Sequence, residues 1–134
     1  MGVSGVSKSE ETYNLIKKGM DAASLRSKVI SNNLANLNTE NYKRSYVNFE
    51  DTLKENTDDL ELKTSEDRHI KNTEAQGEIS IQKDNTTSMR EDGNNVDVEN
   101  EEVNMVTNAL MYSALVTAAN NKLSVTKYII NERG

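Results

Sequence analysis

Two stretches, one near each end of the chain, place apolar residues at alternating steps of three and four. The first runs from about Ser9 to Leu37 through Tyr13, Ile16, Met20, Ala23, Ser27, Ile30, Leu34 and Leu37, and only Ser27 is polar without an aromatic ring. The second runs from about Val98 to Asn131 through Met105, Ala109, Tyr112, Val116, Ala119, Leu123, Thr126 and Ile130, with Thr126 the one break. A mean spacing of about 3.5 residues is the seam of a coiled coil, so each stretch predicts one long helix. The 134 residues contain no proline, so no ring clash interrupts either helix. At the usual helical rise the two span roughly 40 and 50 Å. Ser7 and Glu10 fit a capping box ahead of the first helix. Asp97 fits the N-cap of the second, with Glu99, Glu101 and Glu102 where the helix dipole favours anions and Lys127 and Arg133 towards its negative end. Gly19 costs about 1 kcal/mol relative to alanine. It fits close approach of a neighbouring helix, and equally a glycine that is only tolerated.

The stretch between them is built differently. From Lys54 to Val96 the large aliphatic residues are Leu60, Leu62, Ile70, Ile79, Ile81, Met89 and Val96, too sparse to offset the ordering entropy of a packed domain. Glu78-Ile79-Ser80-Ile81-Gln82 alternates like a short strand, and Leu60 to Thr64 does so weakly. The chain therefore divides into an N-terminal helical region at 1–53, a polar irregular region at 54–97 that holds at most a short β-hairpin, and a C-terminal helix at 98–134. The expected fold is mainly α, with the terminal helices paired as an antiparallel coiled coil. An irregular stretch of this length in a small domain points to a contact element or to a segment that orders on a partner.

A second apolar stripe on the C-terminal helix constrains the chain further. Met111, Leu115, Ala118, Val125 and Ile129 fall outside the first ladder, and Lys122 interrupts them. A two-helix hairpin leaves this stripe in water. At about 25 cal/mol per Å² of apolar area, that forgoes several kcal/mol. Surplus apolar surface of this kind marks a contact with another protein. Three or more helices must meet, and one chain supplies two, so self-association or hetero-assembly follows.

Charge and composition remove other function classes. Apolar residues make up 34% of the sequence with no tryptophan and one phenylalanine, which allows a thin core only. The net charge of −6 opposes binding to phosphate backbones and to anionic membrane surfaces. No apolar run is long enough to span a bilayer, so direct membrane insertion is not expected. The opening residues lack the charged and apolar regions of a cleavable signal peptide. There is no cysteine for disulfides, thiolate metal sites or nucleophilic catalysis. The single histidine, His69, has no recognisable catalytic companions and reads as a surface residue. Asp92-Gly93-Asn94-Asn95-Val96-Asp97 resembles a calcium loop but has neither glycine at the sixth position nor glutamate at the twelfth, so a turn followed by a helix cap is expected. Asn85-Thr86-Thr87 matches a glycosylation acceptor by chance, and Lys17, Lys18, Arg26 and Lys28 are dispersed along a solvated face. No enzyme activity, metal or cofactor is expected.

The densest unusual feature is Ser31 to Lys43, in which Asn32, Asn33, Asn36, Asn38 and Asn41 crowd the end of a strong heptad. Asparagine competes for backbone groups and is a mediocre helix former. These amides fit a helix end that bridges neighbouring subunits or caps the outgoing chain, and equally a frayed terminus with an asparagine-rich exit turn.

This segment also carries a family resemblance. NNLANLNTENYK, with Phe49 and Glu50 beyond it, resembles the N-terminal signature of flagellar rod, hook and filament-cap-type axial proteins through Asn33, Leu34, Ala35, Asn36, Asn38, Thr39, Tyr42, Lys43, Phe49 and Glu50. Glu40 and Asn41 stand where that family usually has proline and glycine, so its tight turn is not written in the usual residues. Asp92 to Glu132, with Asn94, Val96 and Asp97 near its start, resembles the C-terminal block of the proximal rod proteins. The two blocks cover a little over half the chain in the expected order. Length and the short middle resemble the basal-body rod proteins of the FlgB type, with the sister FlgC type nearest to them. The resemblance implies a structural subunit of the proximal rod that polymerises through its terminal helices and transmits torque. Its partners would be other rod proteins and the membrane-ring junction. It implies a place in the periplasmic rod, reached through the flagellar type III apparatus without signal cleavage. From residues alone, a soluble helical adaptor or export chaperone would share the acidic charge and the seam.

Overall fold

The computed structural model describes residues 3–50, 78–88 and 90–133. Helix α1 runs Val3–Ala35, strand β1 Ser45–Asn48, strand β2 Ser80–Lys83 and helix α2 Val98–Arg133. The architecture is mainly helical, with two long helices at the chain ends and one small antiparallel sheet, as the ladders and the alternation predict. The helices are 33 and 36 residues long, or about 50 Å each.

Three contacts fix their pairing. Asn33 meets Glu101, Ala23 meets Asn108, and Gly19 meets Leu115, so α2 advances as α1 recedes and the pair is antiparallel. Gly19 is a point of close approach: a Cβ there would stand 3.2 Å from a Leu115 methyl. The helix begins upstream of the Ser7–Glu10 capping box, which therefore lies inside α1 and caps nothing at its start. Asp97 does cap α2, its carboxylate accepting from the backbone N–H of Glu99 (3.0 Å) and Asn100 (3.4 Å).

The sheet draws on both halves of the sequence. β2 forms where the alternation of residues 78–82 predicts it, but its partner is Ser45–Asn48, beside the asparagine-rich exit of α1. Val47 lies opposite Ile81, and Ser45 opposite Lys83. Leu60 to Thr64 and His69 lie outside the described residues. The strand periodicity turns Val47 and Phe49 onto α1, where they form the core with Ala22 and Val29, edged by Leu25 and Ile79. This core is small, so the polar contacts beside it weigh more in holding the fold.

Among the described residues no helix is long and apolar enough to cross a membrane.

Candidate assembly interface

α1 ends at Ala35, and the carbonyls of the exit turn that follows it take a donor from across the fold. Asn94 supplies it. Its amide shares two hydrogens among the carbonyls of Asn36 (2.8 Å), Leu37 (2.9 Å) and Thr39 (2.9 Å). Arg90 adds a second donor to Leu37 (2.8 Å). Asn94 is itself held, because its carbonyl oxygen on the side chain accepts from Val96 N–H (2.9 Å) and its own N–H donates to Asp92 (3.1 Å). The Ser88 hydroxyl donates to the Asn94 backbone carbonyl. The turn before α2 thus clasps the exit turn of α1.

The exit turn of α1 locks against the same loop. Thr39 to Tyr42 closes through a Tyr42 N–H bond to the Thr39 carbonyl (3.3 Å), with Asn41 at φ +59° in its third position. A positive φ there is what glycine ordinarily supplies, and asparagine tolerates it better than most residues. The turn therefore survives without glycine. Gly93, at φ +76°, faces it so closely that a Cβ would fall 2.6 Å from the Asn41 side-chain oxygen. Asn41 N–H donates to the Asp92 carbonyl (2.7 Å), and Lys43 Nζ to that of Gly93 (2.8 Å).

Behind this turn sits a buried polar network. Asn33, fully buried, donates to the Ser45 carbonyl (2.7 Å) and accepts from Ser45 N–H (2.9 Å) and the Tyr42 hydroxyl (3.0 Å). It also donates to Glu101 (3.2 Å), whose side chain is 1% exposed. Arg44 completes the carboxylate's shell with Nε 2.7 Å away and reaches Asp84 at 3.3 Å with Nη1. Burial works against the charged Arg44, yet the hydrogen bonds and charges of Glu101 and Asp84 outweigh it and hold its pKa above the ordinary arginine value. Hydrogen bonds from Thr86 first, and Arg44 after them, hold the Asp84 carboxyl below the usual carboxylate range. Asn95 ties the remaining edge, accepting from Arg44 N–H (2.7 Å) and donating to the Asp84 carbonyl (2.8 Å).

The expected site residues fall into two groups. Asn33, Asn94, Val96 and Phe49 are buried and Asn36 and Tyr42 half-buried, all within or beside this clasp. Ala35, Asn38 and Thr39 stay exposed around it, though Thr39 Oγ1 donates to Asn36 (3.1 Å). Glu50 is exposed and pairs with Arg26 at 2.7 Å. On α1, Ala23 and Ile30 are buried and Ile16, Met20, Leu34 and Leu37 half-buried. On α2, Ala119 is buried and Met105 and Val116 half-buried, while Ala109, Tyr112, Leu123 and Ile130 are exposed. Arg44, Glu101 and Asn108 carry the interhelix contacts without having been singled out for them. Only Glu101 had a signal, as an acid in the first turn of α2.

α2 turns towards α1 a side on which polar residues are interleaved with apolar ones, Met105, Leu115, Val116 and Ala119 among them. The positions spaced seven apart on its inner side are Glu101, Asn108, Leu115 and Lys122, all buried or half-buried. Its outer side carries Val103 (63% exposed), Val106 (63%) and Leu110 (68%), and towards its end Val125, Tyr128, Ile129 and Ile130 are exposed as well. Each large aliphatic residue left in water forgoes about 1.5–3 kcal/mol. The arrangement offers packing surface. Among the described residues no group of acids and histidine is placed to hold a metal.

The family model for flagella basal body rod proteins matches residues 17–43, the stretch that leads into the clasp. Flagellar basal body rod protein FlgB of Bacillus subtilis (strain 168) is 33% identical over 119 residues, covering 89% of this chain and 92% of the relative. FlgB of Borreliella burgdorferi is 34% identical over 112 residues, covering 77% of this chain and 83% of the relative. FlgB of Aquifex aeolicus is 34% identical over 120 residues, covering 90% and 93%.

Proposed function

Since the chain belongs to the flagellar basal-body rod protein family of the FlgB type, we propose that it is a structural subunit that polymerises through its terminal helices and transmits torque along the proximal rod. The observation that carries this reading is the outward apolar side of α2, which a single chain leaves in water. Helices of neighbouring copies or of other rod proteins bury it, and contacts that do not close into a small ring extend into a tubular stack. The clasp gives each subunit a stiff corner through which load passes from α1 to α2. The work is done by packing, with no turnover step. The subunit sits in the periplasmic part of the basal body, at the end that meets the membrane ring, and reaches it through the flagellar type III apparatus without signal cleavage. The outward apolar residues favour a rod subunit over a soluble adaptor.

Leu123→Asp tests the proposal, because residue 123 is exposed in the single chain and its replacement leaves the folded subunit intact. A bacterium carrying only this variant is expected to be non-motile, with the subunit missing from isolated basal bodies. Normal swimming with the variant present in basal bodies contradicts the proposal.

A further inference from the structure

An apolar helix does not by itself say which of its sides should face a partner. On α2 apolar residues lie on both sides: Met105, Leu115, Val116 and Ala119 turn towards α1, while Val103, Val106 and Leu110 stay exposed. A polar contact can therefore add to the selection of the side that faces inward.

Near the clasp, Glu101 makes the selection through Asn33 and Arg44. At the next inner position, seven residues on, stands Asn108, 5% exposed. Its amide donates to the Ala23 carbonyl of α1 at 2.7 Å. Its side-chain oxygen is the one buried side-chain polar atom among the described residues without a hydrogen-bond partner. A buried polar group that is only half satisfied is a poor choice for affinity between helices. It is a good choice for orientation, since only one rotation of α2 brings its donor onto the Ala23 carbonyl of α1 and any other gives that bond up. A lone asparagine at a helix seam is known to trade stability for a unique arrangement.

We propose that Asn108 is the orientation key of the helix pair: it sets which side of α2 turns to α1, and so which apolar side is left for neighbours. It is a positioning residue, and touches no neighbour itself. Gly19, which admits Leu115 one heptad further along, supports the same rotation by shape.

The native chain has no cysteine, so single cysteines report one position each. Leu110→Cys places a thiol on the outer side and Ala119→Cys one on the inner side, where the native residue is buried. In the full-length chain with Asn108 intact, a maleimide is expected to label position 110 faster than position 119 by at least about tenfold, following exposure. Asn108→Leu, which keeps the branched shape at greater bulk and removes the amide, is expected to slow labelling at 110 and speed it at 119 by several-fold each, while the helical circular dichroism signal persists. Asn108→Gln, which keeps a donor on a longer arm, should retain most of the original contrast. If Asn108→Leu leaves both rates unchanged, rotation does not depend on the amide and the proposal fails. It fails equally if both positions become fast, because the residue would then hold the pair together instead of orienting it.

Discussion

The two sides of α2 solve opposite problems. Its inner side at the clasp places the fully buried Glu101 carboxylate against Arg44 and the fully buried Asn33 of α1, where nearly every donor and acceptor finds a partner within this chain. Its outer side places valines and leucine in water with nothing among the described residues to cover them. The polar contacts at the clasp are satisfied and the outer apolar side is open, the reverse of what a solitary two-helix protein would do. The contrast teaches that the chain reserves its polar chemistry for internal geometry and its hydrophobic surface for association.

The largest expected break in this contrast comes from Glu101→Ala. Removing the carboxylate leaves Arg44 and Asn33 without their buried partner, and such a loss costs about 3–5 kcal/mol. Chemical denaturation of the full chain should show most of a small domain's stability gone. Asn94→Ala comes next. It strips the donor from three carbonyls of the turn that follows α1, with an expected cost of about 1–3 kcal/mol, and hydrogen exchange should rise first at residues 32–43. A gentler handle is acid. The Asp84 carboxyl titrates lower in the folded chain than in the unfolded one, so its contribution is fully present above the unfolded value of about 4 and is lost as pH falls through the lower folded value. Stability should therefore decline below about pH 4, and Asp84→Asn should flatten that decline. Smallest of all is Val106→Ser on the outer side, expected to shift the stability of the isolated chain by no more than about 0.5 kcal/mol. A large loss there would mean that the outer side is already packed within the chain.

The sequence made the helices and their direction legible because their apolar spacing is regular over many turns. α1 turns its ladder inward, with Ala23 and Ile30 buried. On α2 the same periodicity was a poorer guide to the side that faces α1, and the reason is physical. The inner positions spaced seven apart, Glu101, Asn108, Leu115 and Lys122, include three polar residues, so a ladder of apolar residues passes them over, although its members Met105, Val116 and Ala119 do turn inward. Ala109 and Leu123 are regular members of that ladder and lie exposed. Strand β2 was readable from its alternation, but β1 was hidden in Ser45-Tyr46-Val47-Asn48, which follows a dense polar motif and is too short to stand out. The asparagines of residues 32–41 could be recognised as unusual, and one of their two readings, the capping of an outgoing chain, describes much of what they do. The donor that completes the cap, Asn94, lies 55–58 residues further along, a separation that spacing rules do not reach. The left-handed Asn41 similarly depends on Gly93 lying opposite it.

The most direct test compares one outward thiol and one clasp thiol in two states of the protein. Leu110→Cys and Val96→Cys, each alone in the cysteine-free chain, would be labelled with maleimide as free subunit and within isolated basal bodies. Position 110 should label readily when free and be protected once assembled, while position 96 stays protected in both. Equal labelling of position 110 in the two states would contradict the claim that this side of α2 is finished only by its neighbours.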